Sequence, residues 1–508
     1  MKLDFIKNTR RNMVAASINK MLGLVFPFLN RTFFLWLMGA EYLGLNSLFT
    51  SILGVLSLAD LGFGTAVVCS MYKPVADDDR ELLCAYLKLF RFVYRCVGAV
   101  ILVCGLCLLP FLRKLVHGDV PADVSLHVLY VIHLLNTTAS YFLFAYRGVV
   151  LYAYHRDDVM TNIRTLTTIA QYLVVFAILF FTRNYYHYVI AMVGFTVLNN
   201  LLTVREARRL FPDISPHGQL APERRRLLFG DVKAIFMHRF GGVIFNSFAN
   251  VFISAFLGLV AVAAYGNYYD VVASVTGLIW ALYNSMTSGF GNKIHTETRE
   301  TNFALFMKAN RLVGIVIAWS AALMAALYQP FIRLWTHGDP ALVRHALTPT
   351  LMVLFFYVNQ SRRVLLTYKA AASLWRADRW KPITAGVANI ALNFLFMAIL
   401  PDIYKLDGVI LSVILTHAVI EMPWEAHVMF TAYFTREQGR MYWRGQLRFA
   451  ALALVLCAVA WRTAKLVQID NLMGLAKAGT VAALVSGGLV LACYWRDAQT
   501  VFRRLAGR

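Results

Sequence analysis

The chain has 508 residues, of which 59% are hydrophobic and 15% charged, and its formal net charge at pH 7 is +22. Soluble domains carry about 25% charged residues, so this composition excludes an ordinary soluble enzyme. A mean hydropathy of +0.59 indicates a membrane protein instead.

Apolar runs of membrane-spanning length follow one another along the whole chain. A helix needs about 20 apolar residues to cross a bilayer core of about 30 Å. We predict an all-α polytopic membrane protein with about fourteen transmembrane helices, near residues 12–38, 43–70, 89–111, 124–154, 164–182, 185–203, 232–257, 262–290, 311–328, 348–372, 381–400, 407–430, 447–462 and 478–495.

The basic residues are distributed unevenly between the two sides of this arrangement. With the N-terminus in the cytoplasm, about two thirds of the 49 Lys and Arg residues fall in inner segments. That asymmetry follows the positive-inside rule and predicts that both termini are cytoplasmic. The positive charge is therefore explained by topology, and we expect no nucleic-acid partner.

A basic, proline-containing stretch divides the predicted helices into two groups. We interpret residues 205–231 as a cytoplasmic linker between an N-terminal six-helix lobe, 1–204, and a second six-helix lobe, 232–440. Residues 441–508 would then form two additional helices that follow a second basic stretch.

An internal repeat supports two lobes of similar structure. The pattern Tyr-x5-Arg-x4-Tyr occurs at 141–152 and again at 357–368, an offset of 216 residues. At similar offsets, Gly39 returns as Gly258, the pair at 80–81 returns at 299–300, and "GFG" at 62–64 returns at 289–291. Both lobes would begin in the cytoplasm, so they would be parallel repeats around a central cleft.

Several predicted helices carry cations and amides that face one side. Residues eleven apart on a helix return to within about 20° of one face. An ionisable group in hydrocarbon costs at least about 2.5–3.5 kcal/mol, so such groups usually face a cavity or a partner. The alternative is that the arginines reach the inner headgroups. The candidate substrate-binding residues are Lys20, Arg31, Arg147, Arg239, Arg362, Arg363, Asn246 and Asn250.

Buried acids and a histidine form a second group of candidates. Asp60 lies in the second predicted helix at a depth similar to that of Lys20, so it is either half of a buried ion pair or a site that couples transport to a cation. Asp270 and the set His417, Glu421 and Glu425 have the same two interpretations. His417 and Glu421 are four residues apart, but further ligands at a recognisable spacing are lacking, so we predict neither a metal nor a cofactor.

The segment "GAEYLGLNSLFTSILGVLSLADLGFGTAVVCSMYKPVADDDRE", residues 39–81, resembles the second-helix region of bacterial polysaccharide flippases. These form the Wzx-like branch of the MOP superfamily, which also contains the MATE exporters. The stretch "GLVAVAAYGNYYDVV", from Gly258, resembles the start of the second lobe. The resemblance implies fourteen helices in a 6 + 6 + 2 arrangement, with a MATE-like fold.

The resemblance also implies a function. An undecaprenyl-pyrophosphate-linked oligosaccharide would be moved across the bacterial inner membrane by alternating access, for O-antigen, capsule or other surface polysaccharide synthesis. Membrane lipids, a polysaccharide polymerase and chain-length machinery are the implied partners. Because this family has no strict site signature, the candidate residues above rest on helix geometry alone.

Other functions remain open at this point. A MATE-like drug exporter would prefer a cavity lined by carboxylates, whereas the basic helices here favour an anionic substrate. A membrane-embedded polymerase or ligase normally needs a large outer loop, and the longest one predicted, about 329–347, is short. A scaffold without transport activity would not need charges within its helices. We therefore expect a transporter rather than an enzyme.

Overall fold

The computed structural model describes residues 22–23, 25–57, 63–118, 120–143, 145–372, 374 and 377–494; in parts of two long helices it describes only the backbone. About 85% of the chain is helical and the described part contains no strand. The helices are α1 (Val25–Met38), α2 (Ala40–Leu56), α3 (Phe63–Ala76), α4 (Arg80–Leu108), α5 (Leu126–Phe142), α6 (Gly148–Ala153), α7 (Asp157–Phe181), α8 (Tyr185–Leu210), α9 (Pro222–Leu257), α10 (Leu259–Thr296), α11 (Arg299–Trp335), α12 (Leu347–Ser361), α13 (Arg363–Ala371), α14 (Lys381–Ile399), α15 (Lys405–Leu415), α16 (Met422–Ala432), α17 (Arg436–Ala464) and α18 (Leu472–Cys493).

Each of the predicted spans overlaps one of these helices or an interrupted pair of them. Eight helical stretches in the described residues are long and apolar enough to cross a membrane, and α1, α2 and the end of α9 are shorter apolar helices. Many large apolar side chains on the helices are exposed, as expected where lipid replaces water. The all-helical membrane fold is confirmed.

Polar side chains fix where several helices begin. Asp79 accepts a hydrogen bond from the backbone N–H of Leu82 at the start of α4, and Thr298 caps α11 in the same way. Thr435 and Gln438 form a reciprocal capping box at the start of α17. Such caps satisfy N–H groups that the helix itself leaves without partners.

The chain folds as two compact units, residues 1–263 and 264–508. α9 packs on α2 and belongs to the first unit, while α10 begins in the first unit and continues in the second. In the predicted linker, only residues 211–221 lie between helices, because α8 continues to Leu210 and α9 begins at Pro222. The lobe boundaries that the sequence suggested stay predictions.

Repeat-related residues occupy equivalent places in the fold. Gly39 separates α1 from α2 and Gly258 separates α9 from α10, each as a single-residue junction. Their φ angles are 101° and 89°, a region that side-chain-bearing residues rarely adopt. Likewise, the repeated Arg-Glu pair begins α4 at Arg80 and α11 at Arg299.

Within the second unit, the two C-terminal helices, α17 and α18, pack on α11 through small side chains. Ala318, Ala322 and Ala326 of α11 form one cluster with alanines of α17 and α18. Alanine lets helix backbones approach closely, which favours association in a bilayer. Two hydrogen bonds add to this contact, from Trp319 Nε1 to Ser486 (3.1 Å) and from Gln446 Nε2 to Asn310 Oδ1 (3.2 Å).

Candidate functional site

The repeated arginines lie where a helix is interrupted. α5 ends at Phe142, a 3₁₀ turn covers Ala145–Arg147, and α6 begins at Gly148. In the second unit, α12 ends at Ser361 and α13 begins at Arg363. The two interruptions are related by the offset of 216 residues that the sequence shows, so the repeat extends to the local backbone.

In the first unit, Arg147 is half-buried next to an apolar core cluster. Its neighbour Tyr146 is buried in a core cluster with Val149 and Val150. The Arg147 Nε atom is buried and has no hydrogen-bond partner among the described residues. A buried guanidinium nitrogen without a partner is costly, so a polar ligand at this atom would be stabilising.

In the second unit, Arg362 is buried and paired with two glutamates of α16 and the turn before it. Its Nε and Nη2 atoms donate to Glu425 at 3.1 and 2.6 Å, as a bidentate pair. Its Nη1 atom donates to Glu421. Bidentate arginine–carboxylate pairs fix geometry as well as charge, so this pairing ties the helix interruption to the following helices.

Two lysines and an aspartate extend this pairing. Lys381, at the start of α14, binds Glu425 and lies 3.6 Å from Glu421. Lys369 of α13 binds Asp378, and both side chains are almost completely buried. We call Arg362, Lys369, Lys381, Asp378, Glu421 and Glu425 the charge cluster. Its three cations and three carboxylates balance, as buried charges require.

His417 lies beside the charge cluster within a π-helical turn, Thr416–Glu421. Its Nδ1 atom is 2.8 Å from Arg362 Nη1 and also contacts Glu421. A guanidinium only donates, so Nδ1 accepts from Arg362 in one tautomer and donates to Glu421 in the other. The two contacts are therefore alternatives. π turns occur often at functional positions.

Arg363 differs from its neighbour Arg362. Its side chain is half-buried and lies near two tyrosines of α10, Tyr269 and Tyr283. In the second unit, the carboxylates of the charge cluster already have cationic partners. Arg363 therefore contributes positive charge beside a neutral cluster.

The other predicted site residues have varied surroundings. Arg31 donates to the backbone carbonyl of Ala263 at 3.1 Å, and Asn250 donates to Ser51 at 2.9 Å, both within the first unit. Asp270 is half-buried on α10, next to Tyr269. Lys20 and Asp60 lie outside the described residues, as do the side chains of Arg239 and Asn246.

The sequence predicted that Arg362 lines a substrate cavity, whereas in the structure Arg362 is buried within the charge cluster. Its guanidinium is occupied by Glu421 and Glu425, so it serves as the anchor of the charge cluster. The cluster members that sequence reasoning missed are Lys369, Asp378 and Lys381. Asp378 and Lys381 lie at or beyond the ends of the predicted apolar runs, where a charged residue is usually solvated. The alternation of basic and acidic residues in this segment is the only sequence signal that could have indicated ion pairing. No group of His, Cys, Asp and Glu that could hold a metal occurs among the described residues.

Solved structures with the same fold are membrane transporters. An inward-closed lipid II flippase MurJ has a TM-score of 0.62 and 15% identity, covering 96% of this chain and 99% of its own. An inward-facing multidrug-resistance MATE transporter of the MOP superfamily has a TM-score of 0.60 and 16% identity, covering 82% and 98%. No family model and no curated protein matches the chain. At these identities the comparison establishes a fold shared with MOP-superfamily transporters.

Proposed function

We propose that this protein is a flippase that moves an undecaprenyl-pyrophosphate-linked oligosaccharide across the bacterial inner membrane by alternating access. The observation that carries the proposal is the pair of repeat-related arginines, Arg147 and Arg363, each at an interrupted membrane helix. A diphosphate carries about two negative charges, and planar guanidinium groups match phosphate oxygens better than a point charge does.

The pairing within the charge cluster favours an anionic substrate over a cationic drug. An exporter of cations would benefit from a carboxylate free to bind them. Glu421, Glu425 and Asp378 are each bound by a lysine or arginine, so the charge cluster leaves none of its carboxylates free for a cationic substrate. Tyr269, which is half-buried near Arg363, is the aromatic side chain on which a sugar could stack.

The proposal includes the cellular setting. We place the chain in the bacterial inner membrane with both termini in the cytoplasm, on the basis of its basic inner segments. The lipid-linked sugar would be taken up on the cytoplasmic side and released on the other, where a polysaccharide polymerase and chain-length machinery would use it.

The first test replaces Arg147 and Arg363 together by alanine in the full-length protein. We expect a loss of at least tenfold in the transfer of an undecaprenyl-diphosphate-linked sugar between leaflets of reconstituted vesicles, because each missing charge-assisted hydrogen bond contributes about 1.5–3 kcal/mol. The two lysine replacements should recover only part of the activity, since an ammonium cannot bind bidentately.

The matched control is Arg113→Ala with Arg333→Ala. These arginines are exposed, one lies in each unit, and the double variant removes the same charge. The control should transport normally. Normal transport by the Arg147/Arg363 double alanine variant, or transport of cationic dyes but not of the lipid-linked sugar by the native protein, would contradict the proposed function.

A further inference from the structure

The first four turns of α17 carry an arginine at every fourth position. These are Arg436, Arg440, Arg444 and Arg448, and all four side chains are exposed. Residues four apart on an α-helix are separated by about 40° around the axis. The four form one continuous band, which we call the arginine stripe. The only acidic residue in this segment of the sequence is Glu437.

The opposite face of the same turns is fixed by packing. The ring of Tyr442 lies 5.8 Å from Phe306 and 5.3 Å from Phe430, and Gln446 donates to Asn310. The capping box at Thr435 holds the first turn. Because the helix cannot rotate without breaking these contacts, the arginine stripe is held facing away from the second unit.

Large apolar side chains lie on the same side as the arginine stripe. Met441, Trp443 and Leu447 are 51%, 38% and 70% exposed. At 100° per residue, Trp443 and Leu447 project within about 40° of Arg436. A helix face that combines exposed arginines with tryptophan and leucine is typical of a helix at the boundary between lipid tails and headgroups.

The position of the stripe relative to the hydrocarbon follows from the chain. Residues 449–461 carry no charge, and they are flanked by Arg448 and Arg462. The two arginines are thus about 21 Å apart along the helix, less than the ~30 Å of the bilayer core. Both must extend their long side chains to the headgroups, so the stripe starts at the hydrocarbon edge and runs outward.

We propose that the arginine stripe is a binding site for the anionic headgroups of bilayer phospholipids. Arg444 and Arg448 lie at the depth of the lipid phosphates and bind them directly as guanidinium–phosphate pairs. Arg436 and Arg440 lie further out, about 12–18 Å along the helix from Arg448, and act through the surface potential. A basic residue near an anionic membrane surface contributes about fivefold in binding.

The test titrates phosphatidylglycerol into the full-length protein held in phosphatidylcholine nanodiscs and follows its melting temperature and its bound lipid by native mass spectrometry. Replacing all four stripe arginines by glutamine should weaken apparent phosphatidylglycerol binding at least tenfold, whereas replacing them by lysine should weaken it less. Raising the salt concentration should weaken binding by the native protein. The pair Arg444→Gln and Arg448→Gln should account for most of the loss.

The matched control removes four exposed arginines of the first unit. Arg205, Arg209, Arg224 and Arg226 are replaced by glutamine, with the same change in net charge. These arginines also lie near predicted inner helix ends, so this variant measures the general surface potential and should weaken phosphatidylglycerol binding clearly less than the stripe variant does. Equal losses in both variants, unchanged binding in the stripe variant, or a stripe-dependent effect seen with undecaprenyl diphosphate but not with phosphatidylglycerol would each overturn the proposal.

Discussion

The two interrupted helices share a backbone plan and differ in their electrostatic surroundings. Beside Arg147, Tyr146, Val149 and Val150 belong to an apolar core cluster, and a single ion pair, Arg156–Asp158, follows at the end of α6. Around Arg363, a six-residue charge cluster lies directly beside the interruption. The additional arginine of the second unit, Arg362, makes this charge cluster possible.

The difference shows how a duplicated element can be specialised. The interruption positions one arginine at the same place in each unit. In the second unit, Arg362 binds Glu425 of α16, and Glu425 in turn binds Lys381 of α14. These contacts tie the helix interruption to both helices. We infer that the second interruption is held more firmly, whereas the first depends on packing.

Glu425→Ala should be strongly destabilising. It leaves Arg362 and Lys381 buried without their shared carboxylate, and breaking a buried ion pair on one side typically costs about 3–5 kcal/mol. Thermal unfolding in detergent and the yield of folded protein would measure the loss. Arg363→Ala, one residue from the anchor but outside the cluster, should change stability by about 1 kcal/mol or less. Similar melting temperatures for the two variants would remove the basis for the contrast.

Lys20 and Asp60, both outside the described residues, test whether the first unit also contains a buried ion pair. If they pair, Asp60→Asn and Lys20→Met should each cost about 3–5 kcal/mol, and the double variant should recover much of the folded yield. If Asp60 instead couples transport to a proton gradient, Asp60→Asn should fold normally and lose gradient dependence in vesicles. Normal folding with normal gradient dependence would exclude both roles.

The glycine junctions should respond to alanine in a graded way. Gly39 and Gly258 have backbone angles that nearly only glycine adopts, and forcing alanine there costs about 1–3 kcal/mol. A Cβ atom on Gly258 would also lie 2.9 Å from the backbone oxygen of His117, whereas Gly39 has open space around it. Gly258→Ala should therefore lower the melting temperature more than Gly39→Ala. The reverse order would show that the junctions are not held as described.

Gln446→Leu should have the smallest effect. It removes the hydrogen bond to Asn310, worth about 0.5–1.5 kcal/mol, at a small cavity of about 10 Å³ between α11, α12 and α17. This contact lies within the second unit. Adding Asn310→Leu should restore part of the stability, which chemical or thermal unfolding of the double variant would reveal. Additive losses would mean that the two side chains do not interact.

Much of the fold could be predicted because a bilayer restricts the chain to a few solutions. Apolar runs of spanning length specify helices whatever their detailed packing, and the repeat of Tyr-x5-Arg-x4-Tyr indicated two lobes of similar structure. The sequence did not indicate that the predicted spans 124–154 and 348–372 would be interrupted near Arg147 and Arg363, since neither segment contains a proline or glycine immediately before the break.

The candidate site was less predictable, because pairing depends on contacts between helices distant in sequence. His417, Glu421 and Glu425 were recognised as one face, but Lys381 and Asp378 lie about 40 residues away, in and before another helix. Arg362 and Arg363 could not be distinguished, because adjacent residues on a helix point about 100° apart and only packing decides which is buried.

The single-residue junctions at Gly39 and Gly258 restrict how the chain can be extended. Helices that meet with one residue between them leave no loop, so an epitope tag or protease site inserted there must break the helix junction itself. Residues 211–221, between α8 and α9, include several exposed positions and should accept the same insertion. We therefore expect residues 211–221 to tolerate reporter tags for mapping the topology of the chain, and natural insertions as well. We expect neither to be tolerated at the junctions at Gly39 and Gly258.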